Sequence, residues 1–277
     1  MKLSIITINF NNEKGLKKTL DSVSCQTWCD FEHIIVDGAS SDGSVQSISN
    51  YSEQVANRYP VLWISELDTG IYNAMNKGIR MAHGEYCLFL NSGDWLIDEL
   101  VLDKVFELKF NEDVVYGFLK FDYGDHFELG YSPRHVTLLT FVQGTIHHTG
   151  NAFIRRDAFE RWGLYDESLK IVSDWKWFLQ TIIFHDASYR YIDILLSVFD
   201  CFGISSVKQD QMFEERERVL HELLSERILQ DYQNFLGMDS RVYEKELEVR
   251  SSLRFRIGNM VLCPFMWMKK YFNKKNV

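Results

Sequence analysis

Four short apolar runs in the first 94 residues each stop at a polar cluster, and the intervals between them have the length and period of helices. Leu3–Asn9 carries Leu and three Ile and closes on Thr7 and Asn9. Phe31–Val36 stops at Asp37-Gly38-Ala39-Ser40-Ser41-Asp42-Gly43, Val61–Ser65 at Glu66–Asp68, and Glu85–Leu90 at Asn91-Ser92-Gly93-Asp94. Between them, Leu16, Leu20 and Val23 recur at helical spacing in Glu13–Ser24, and Ser44–Tyr59 and Ile71–Ala82 also read as helices. Gly84 stands where a left-handed cap would close the last of these. Strands alternating with helices predict an α/β chain with a mostly parallel central sheet flanked by helices. Such a sheet binds ligands beyond the carboxyl ends of its strands, where all four polar clusters fall.

After residue 113 the pattern is less regular. Val114–Phe121, Ala152–Ile154 and Tyr189–Phe199 read as strands. Asp98–Phe110, Arg156–Trp162, Asp174–Phe184 and Gln209–Gly237 read as helices, and Glu128–Gly150 as loop. The expected organisation is one α/β domain in two halves, 1–110 and 111–207, and a helical C-terminal extension over 208–277.

Charge separates the extension from the rest. The net charge is −9, from 30 basic and 39 acidic residues. Residues 250–277 hold seven basic residues and no acid, which leaves 23 basic against 39 acidic groups in the body. A body this acidic argues against nucleic acid as a partner. The tail mixes Arg254, Arg256, Lys269, Lys270, Lys274 and Lys275 with Trp267, Tyr271 and Phe272, a composition suited to an anionic membrane surface. Its other reading is a helix packed on the body, or the interface of a homodimer. The five cysteines form no CxxC pair and read as free thiols in a reducing compartment. No run approaches the ~18 apolar residues of a membrane span.

Several polar residues have a structural reading beside a chemical one. Asp42 suits the cap of the helix starting at Ser44. Asp37, at a strand end, suits hydrogen bonds from a base or ribose. Asp94 suits either a turn or an oxygen ligand for a divalent cation, since Mg²⁺ and Mn²⁺ need only one or two carboxylates when phosphates supply the rest. Glu214, Arg216, Glu217 and Arg218 read most simply as a solvated helix face.

Four runs together resemble the family-2 glycosyltransferases of the GT-A fold: Ser4-Ile-Ile-Thr-Ile-Asn-Phe-Asn11, Ile35-Val-Asp-Gly-Ala-Ser-Ser-Asp-Gly43, Asp68-Thr-Gly-Ile-Tyr-Asn-Ala-Met-Asn-Lys-Gly78 and Gly84-Glu-Tyr-Cys-Leu-Phe-Leu-Asn-Ser-Gly-Asp94. The likeness weakens past residue 110, returns at 147–174 and at Phe202-Gly-Ile-Ser205, and points toward the bacterial branch that builds surface polysaccharide and O-antigen. It implies that Thr7 and Asn9 line a nucleotide pocket, that Asp37 accepts from the base, and that Asp68 and Lys77 lie near base and phosphates. It sets Asn91-Ser92-Gly93-Asp94 where the family carries its Asp-x-Asp motif, with Asn91 and Ser92 toward the donor and Asp94 as the remaining carboxylate for Mn²⁺ or Mg²⁺.

The resemblance also implies inversion by single displacement, with a carboxylate base across the sugar from the diphosphate. Asp174 matches that position, and a plain helix N-cap, Ser173 or Asp174, is the other reading. Asp166 is the second choice of base. His148 is a candidate contact to metal, diphosphate or acceptor, and Trp175 a candidate sugar platform. The implied activity is transfer of a hexose or N-acetylhexosamine from a UDP-sugar to a glycan on a polyprenyl diphosphate, at the inner face of a bacterial inner membrane. Two other functions fit an α/β nucleotide domain: a nucleotidyltransferase, and a non-catalytic nucleotide-sugar-binding assembly subunit. The glycine-free Asn9–Glu13 turn counts against the first.

Overall fold

The computed structural model describes residues 1–203 and 208–235. The chain divides into two compact units, Met1–Val219 and Leu220–Val277. In the second unit residues 226–235 are helical. The basic tail and Ile204-Ser205 lie outside the described residues. Among the described residues no helix is long and apolar enough to cross a membrane.

The first unit is built on one nine-stranded sheet. Strands β1 (Leu3–Asn9), β2 (Phe31–Asp37), β3 (Val61–Ser65) and β4 (Tyr86–Phe89) alternate with helices α1 (Glu13–Ser24), α2 (Ser44–Val55) and α3 (Ile71–Met81), as the apolar periodicity predicts. They lie side by side in the order β3-β2-β1-β4, all parallel. Every residue of β1 and β2 is buried, because helices cover both faces and leave no solvated side for polar alternation. Leu3 and Ile5 pack with Leu16, Leu20, Ile48 and Tyr51 on one face. On the other, Ile6 presses against α3, where a Cβ on Gly78 would lie 2.4 Å from its methyl.

The register fixes the site. Asn9 pairs with Asp37 and Asp37 with Ser65, so three strand-end polar residues stand side by side. Leu90 continues β4 beside β1, which brings Asn91 and Asp94 to the same edge.

The second half of the sheet is mixed. After β5 (Trp95–Leu96) and α4 (Val101–Glu107) come β6 (Val114–Asp122), β7 (Phe127–Gly130), α5 (Leu138–Gln143), β8 (Ala152–Arg155), α6 (Arg156–Trp162) and α7 (Ser173–Phe178). A π-helical turn, Leu179–Phe184, continues α7; β9 (Tyr189–Asp200) and α8 (Gln209–Leu223) follow. The order from β4 is β8-β6-β9-β5, with β7 on β6. β8 is antiparallel to both neighbours, and β6 and β9 are parallel. The stretch expected as loop over 128–150 thus contains part of β7 and all of α5. Both are short, with little periodicity to read.

Gly84 is not a left-handed cap. It has no positive φ, and α3 ends in extended backbone at Ala82. Its lack of a side chain serves close packing: a Cβ would lie 2.5 Å from the Leu3–Ser4 backbone.

Candidate functional site

Two cavities open side by side beyond the strand ends. The larger, about 730 Å³, is bounded by Asn9, Asp68, Asn91, Ser92, Asp94 and Asp200 among others. The smaller, about 470 Å³, contains His148, Lys170, Asp174, Trp175 and Arg216. Ile71, Asn91 and Phe199 line both, so Asn91 stands on the wall between them.

On the wall of the larger cavity, Asn9 donates through Nδ2 to Asp37 at 2.8 Å, while its Oδ1 is buried with no partner among the described residues. Asp37 lies beneath the lining. Burial pushes its carboxyl up, but donors from Ser40, Ser65 and Asn9 outweigh it and hold it below the ordinary aspartate value. Asp68 packs over Gly38, where a Cβ would meet its carboxylate at 2.7 Å. Phe10, Leu67 and Phe202 stand exposed around the rim.

Thr7 and Lys77 are not on this wall. Thr7 is fully buried one turn of the pleat below Asn9 and donates to Leu90 O at 2.8 Å. With its one hydroxyl proton used there, it accepts from His33 Nε2 at 2.9 Å. His33 Nδ1 then accepts from Tyr51 at 2.6 Å, and Tyr51 from Tyr59 at 3.0 Å. The expected pocket residue is therefore the end of a buried relay that ties β1 to β2 and α2. Lys77 projects from α3 away from the cavity and binds Glu66 and Leu67 O, each at 2.8 Å, bracing the 66–68 loop.

The turn after β4 is held from α1. Thr19, fully buried, donates to Asp94 O at 2.7 Å and accepts from Gly93 N at 3.0 Å, and Asn12 donates to Ser92 O. Asp94 is 4% exposed. Burial raises its carboxyl to about 7, despite a hydrogen bond from the Asp200 backbone. Its Oδ1 accepts that bond at 2.9 Å, and its Oδ2 has no hydrogen-bond partner among the described residues. The left-handed Gly93, φ +113, makes room for Asp200, whose Oδ2 would meet a Cβ there at 2.8 Å. Asn91 Oδ1 is also buried without a partner.

Asp94, Asp200 and Asn91 form an oxygen-rich set short of a positive charge. Among the described residues no group of three or more His, Cys, Asp or Glu side chains converges on one point. Two carboxylates nevertheless fit Mg²⁺ or Mn²⁺ when a diphosphate completes the coordination. Asp200 was missed in the sequence, although it ends an apolar strand just as Asp37 does.

In the smaller cavity, Asp174 is held from α3. The Tyr72 hydroxyl lies 2.6 Å from its Oδ1 and 2.5 Å from Ile171 O. Asp174 is not a helix cap: Val172 occupies that position and no side chain caps α7. The backbone leading into α7 is held instead by Glu215 of α8, whose buried carboxylate accepts from the N–H groups of Lys170, Ile171 and Val172 at 2.9–3.3 Å. Glu214, Glu217 and Arg218 are exposed, as expected of a solvated face, whereas Arg216 is half-buried on the cavity wall and corrects that reading. His148 lies 3.8 Å from Asp174 and 2.7 Å from the Tyr165 hydroxyl. Burial lowers its pKa, and nearby Asp174 only partly opposes this.

The remaining candidates are structural. Trp175 is 2% exposed, packs under the cavity floor and donates its indole N–H to Phe141 O and Gly144 O. Its ring is therefore not a free sugar platform. Asp166 lines neither cavity and pairs with Lys176 at 3.0 Å and Ser168 at 2.6 Å. Asp42 is not the cap of α2, since Gly43 holds that position; it accepts from Ser44 N and Glu13 N and so joins the start of α2 to α1.

A model of glycosyl transferase family 2 matches residues 4–163. A "PGL/p-HBAD biosynthesis glycosyltransferase" of Mycobacterium bovis is 28% identical over 222 residues, which is 77% of this chain and 82% of the relative. Among solved structures, residues 1–349 of Staphylococcus aureus TarS in complex with UDP superpose with a TM-score of 0.59 at 22% identity, covering 79% of this chain and 64% of that one. A Pyrobaculum calidifontis mannosyltransferase in complex with GDP-Man and Mn²⁺ superposes with a TM-score of 0.55 at 16% identity, covering 72% of this chain and 56% of that one. This chain thus spans under two thirds of either solved protein, and what they share with it is the fold.

Proposed function

The chain belongs to glycosyl transferase family 2, and from that premise we propose that it moves a sugar from a UDP-sugar to an acceptor hydroxyl with inversion at the anomeric carbon. The observation that carries this reading is the pair of adjoining cavities. One presents Asp94 with an unpartnered oxygen, the other presents Asp174, and Asn91 stands between them. The donor takes the larger cavity, with its base toward Asn9 and Asp68 and its diphosphate toward Asp94 and Asp200. The UDP bound by TarS supports uridine as the base.

Mn²⁺ or Mg²⁺ held by Asp94 and Asp200 would neutralise charge developing on the leaving diphosphate. The acceptor takes the smaller cavity. Asp174 accepts the proton of its hydroxyl as that oxygen attacks the anomeric carbon. The bond from that carbon to the diphosphate oxygen breaks, its electron pair leaves with UDP, and the transition state has oxocarbenium character. Tyr72 holds the Asp174 carboxylate in place, and Asn91 meets the sugar between the two sites. Within this reading the acceptor is a lipid-linked glycan of surface polysaccharide synthesis, reached by a membrane-facing basic tail. The mycobacterial relative's name, a biosynthesis glycosyltransferase, is in keeping with it.

The test is calorimetric binding of UDP, dTDP, GDP and CDP, each with Mn²⁺ and then with EDTA, to wild type and Asp94→Ala. Selective binding of UDP that needs both metal and Asp94 supports the donor site. Binding indifferent to both removes the metal from it.

A further inference from the structure

The α8 wall of the smaller cavity carries a cation that the reaction as described does not use. Arg216 lines the cavity, and its Nε is buried with no hydrogen-bond partner among the described residues. The guanidinium carbon lies 5.2 Å from the centre of the Trp175 ring, a cation–π contact that leaves Nε without an acceptor. Burial lowers the pKa of Arg216, and the nearby Asp174 charge only partly offsets this. Lys170 lines the same cavity and reaches toward the rim shared with the larger one, its Nζ 3.9 Å from where a Gly70 Cβ would stand. Against these two cations the lining holds a single carboxylate, Asp174, while burial keeps His147, with a pKa of about 4, and His148 neutral.

A positive wall inside so acidic a body is poorly suited to a neutral sugar, whose hydroxyls find acceptors on carboxylates and carbonyls. A planar guanidinium whose Nε lacks an acceptor matches a carboxylate or phosphate in a two-pronged contact. Arg216 lines only the smaller cavity, so the anion belongs to what binds there. Resting on the reading of that cavity as the acceptor site, we propose that the acceptor carries an anionic group, a carboxylate or a phosphate ester, held by Arg216 with Lys170 at the rim. That contact sets the reacting hydroxyl against Asp174.

The experiment measures binding of inorganic phosphate and of glucuronate, with glucose as the neutral control. It uses ligand-observed NMR on the full chain at constant ionic strength, with and without saturating UDP and Mn²⁺. Both anions are expected to bind at least tenfold more tightly than glucose whether or not UDP is present. Arg216→Met should weaken them at least tenfold, Arg216→Lys should weaken them less, and neither should alter UDP affinity, which also reports that the variants fold. Displacement of the anions by UDP would assign the cations to the donor diphosphate and overturn the proposal. Equal binding of glucose, or no effect of Arg216→Met, would overturn it as well. Failure of UDP to bind wild type would sink the donor reading instead, and the UDP-free arms would still decide this one.

Discussion

The Tyr72 hydroxyl lies 2.6 Å from Oδ1 of Asp174 although 102 residues separate them. Tyr72 belongs to α3, which packs on β1 and β2 of the parallel half of the sheet, and Asp174 to the first turn of α7. Their contact joins the carboxylate that lines the smaller cavity to that parallel half. The hydroxyl also reaches Ile171 O, so one side chain fixes both the carboxylate and the backbone leading to it.

Replacing Asp174 by Asn should lower sugar transfer by about 10²–10⁴-fold, the usual contribution of a positioned base, and leave UDP affinity unchanged. Tyr72→Phe should cost less, since the carboxylate survives and only its orientation loosens. Single-turnover transfer rates and calorimetry on both variants check this. A drop in UDP affinity equal to the drop in rate would place Asp174 in donor binding.

Asp200→Ala should weaken Mn²⁺ binding in the presence of UDP by at least about tenfold, much as Asp94→Ala does. Electron paramagnetic resonance of free Mn²⁺ reads this without any turnover. Asn91→Ala should leave the metal titration nearly unchanged, because an amide oxygen adds no charge to the site.

Glu215→Ala should destabilise the first unit by about 1–3 kcal/mol, since it leaves the buried N–H groups of Ile171 and Val172 without their acceptor. Glu215→Gln should recover part of the loss, because an amide oxygen still accepts. Denaturant unfolding measures both variants.

His33 is fully buried, and burial lowers its pKa to about 3. The unfolded chain takes up this proton near the ordinary histidine value of about 6.5, the folded chain only near 3. The contribution of neutral His33 is therefore complete above about pH 6.5 and is lost as pH falls toward 3, by roughly 1.4 kcal/mol per pH unit. His33→Gln keeps a donor and an acceptor without the titration. Its unfolding free energy should fall less steeply than wild type between pH 6 and 4.

The parallel half of the sheet was legible because β1, β2 and β4 are buried along their whole length and α1 repeats Leu16, Leu20 and Val23 at one period. The polar stops that end the strands mark where the larger cavity lies. Asn9, Asp68, Asn91, Ser92 and Asp94 do line the larger cavity. Thr7 and Lys77 were misplaced because a motif orders residues along the chain without saying which way a side chain points. Thr7 turns into a hydrogen-bond relay and Lys77 toward its own loop.

What the amino-acid order determined by itself is local: where strands start and stop, which helices have an apolar face, and which carboxylates end a strand. These follow from periodicity and turn chemistry within a few residues. Tertiary structure alone decided the pairings across long separations, Asp94 with Asp200, Tyr72 with Asp174, and Glu215 with the backbone before α7. Asp200 and Glu215 have unremarkable neighbourhoods in the chain. A lone carboxylate acquires a fixed orientation and a shifted affinity for protons or cations only when folding sets it beside the groups it must satisfy.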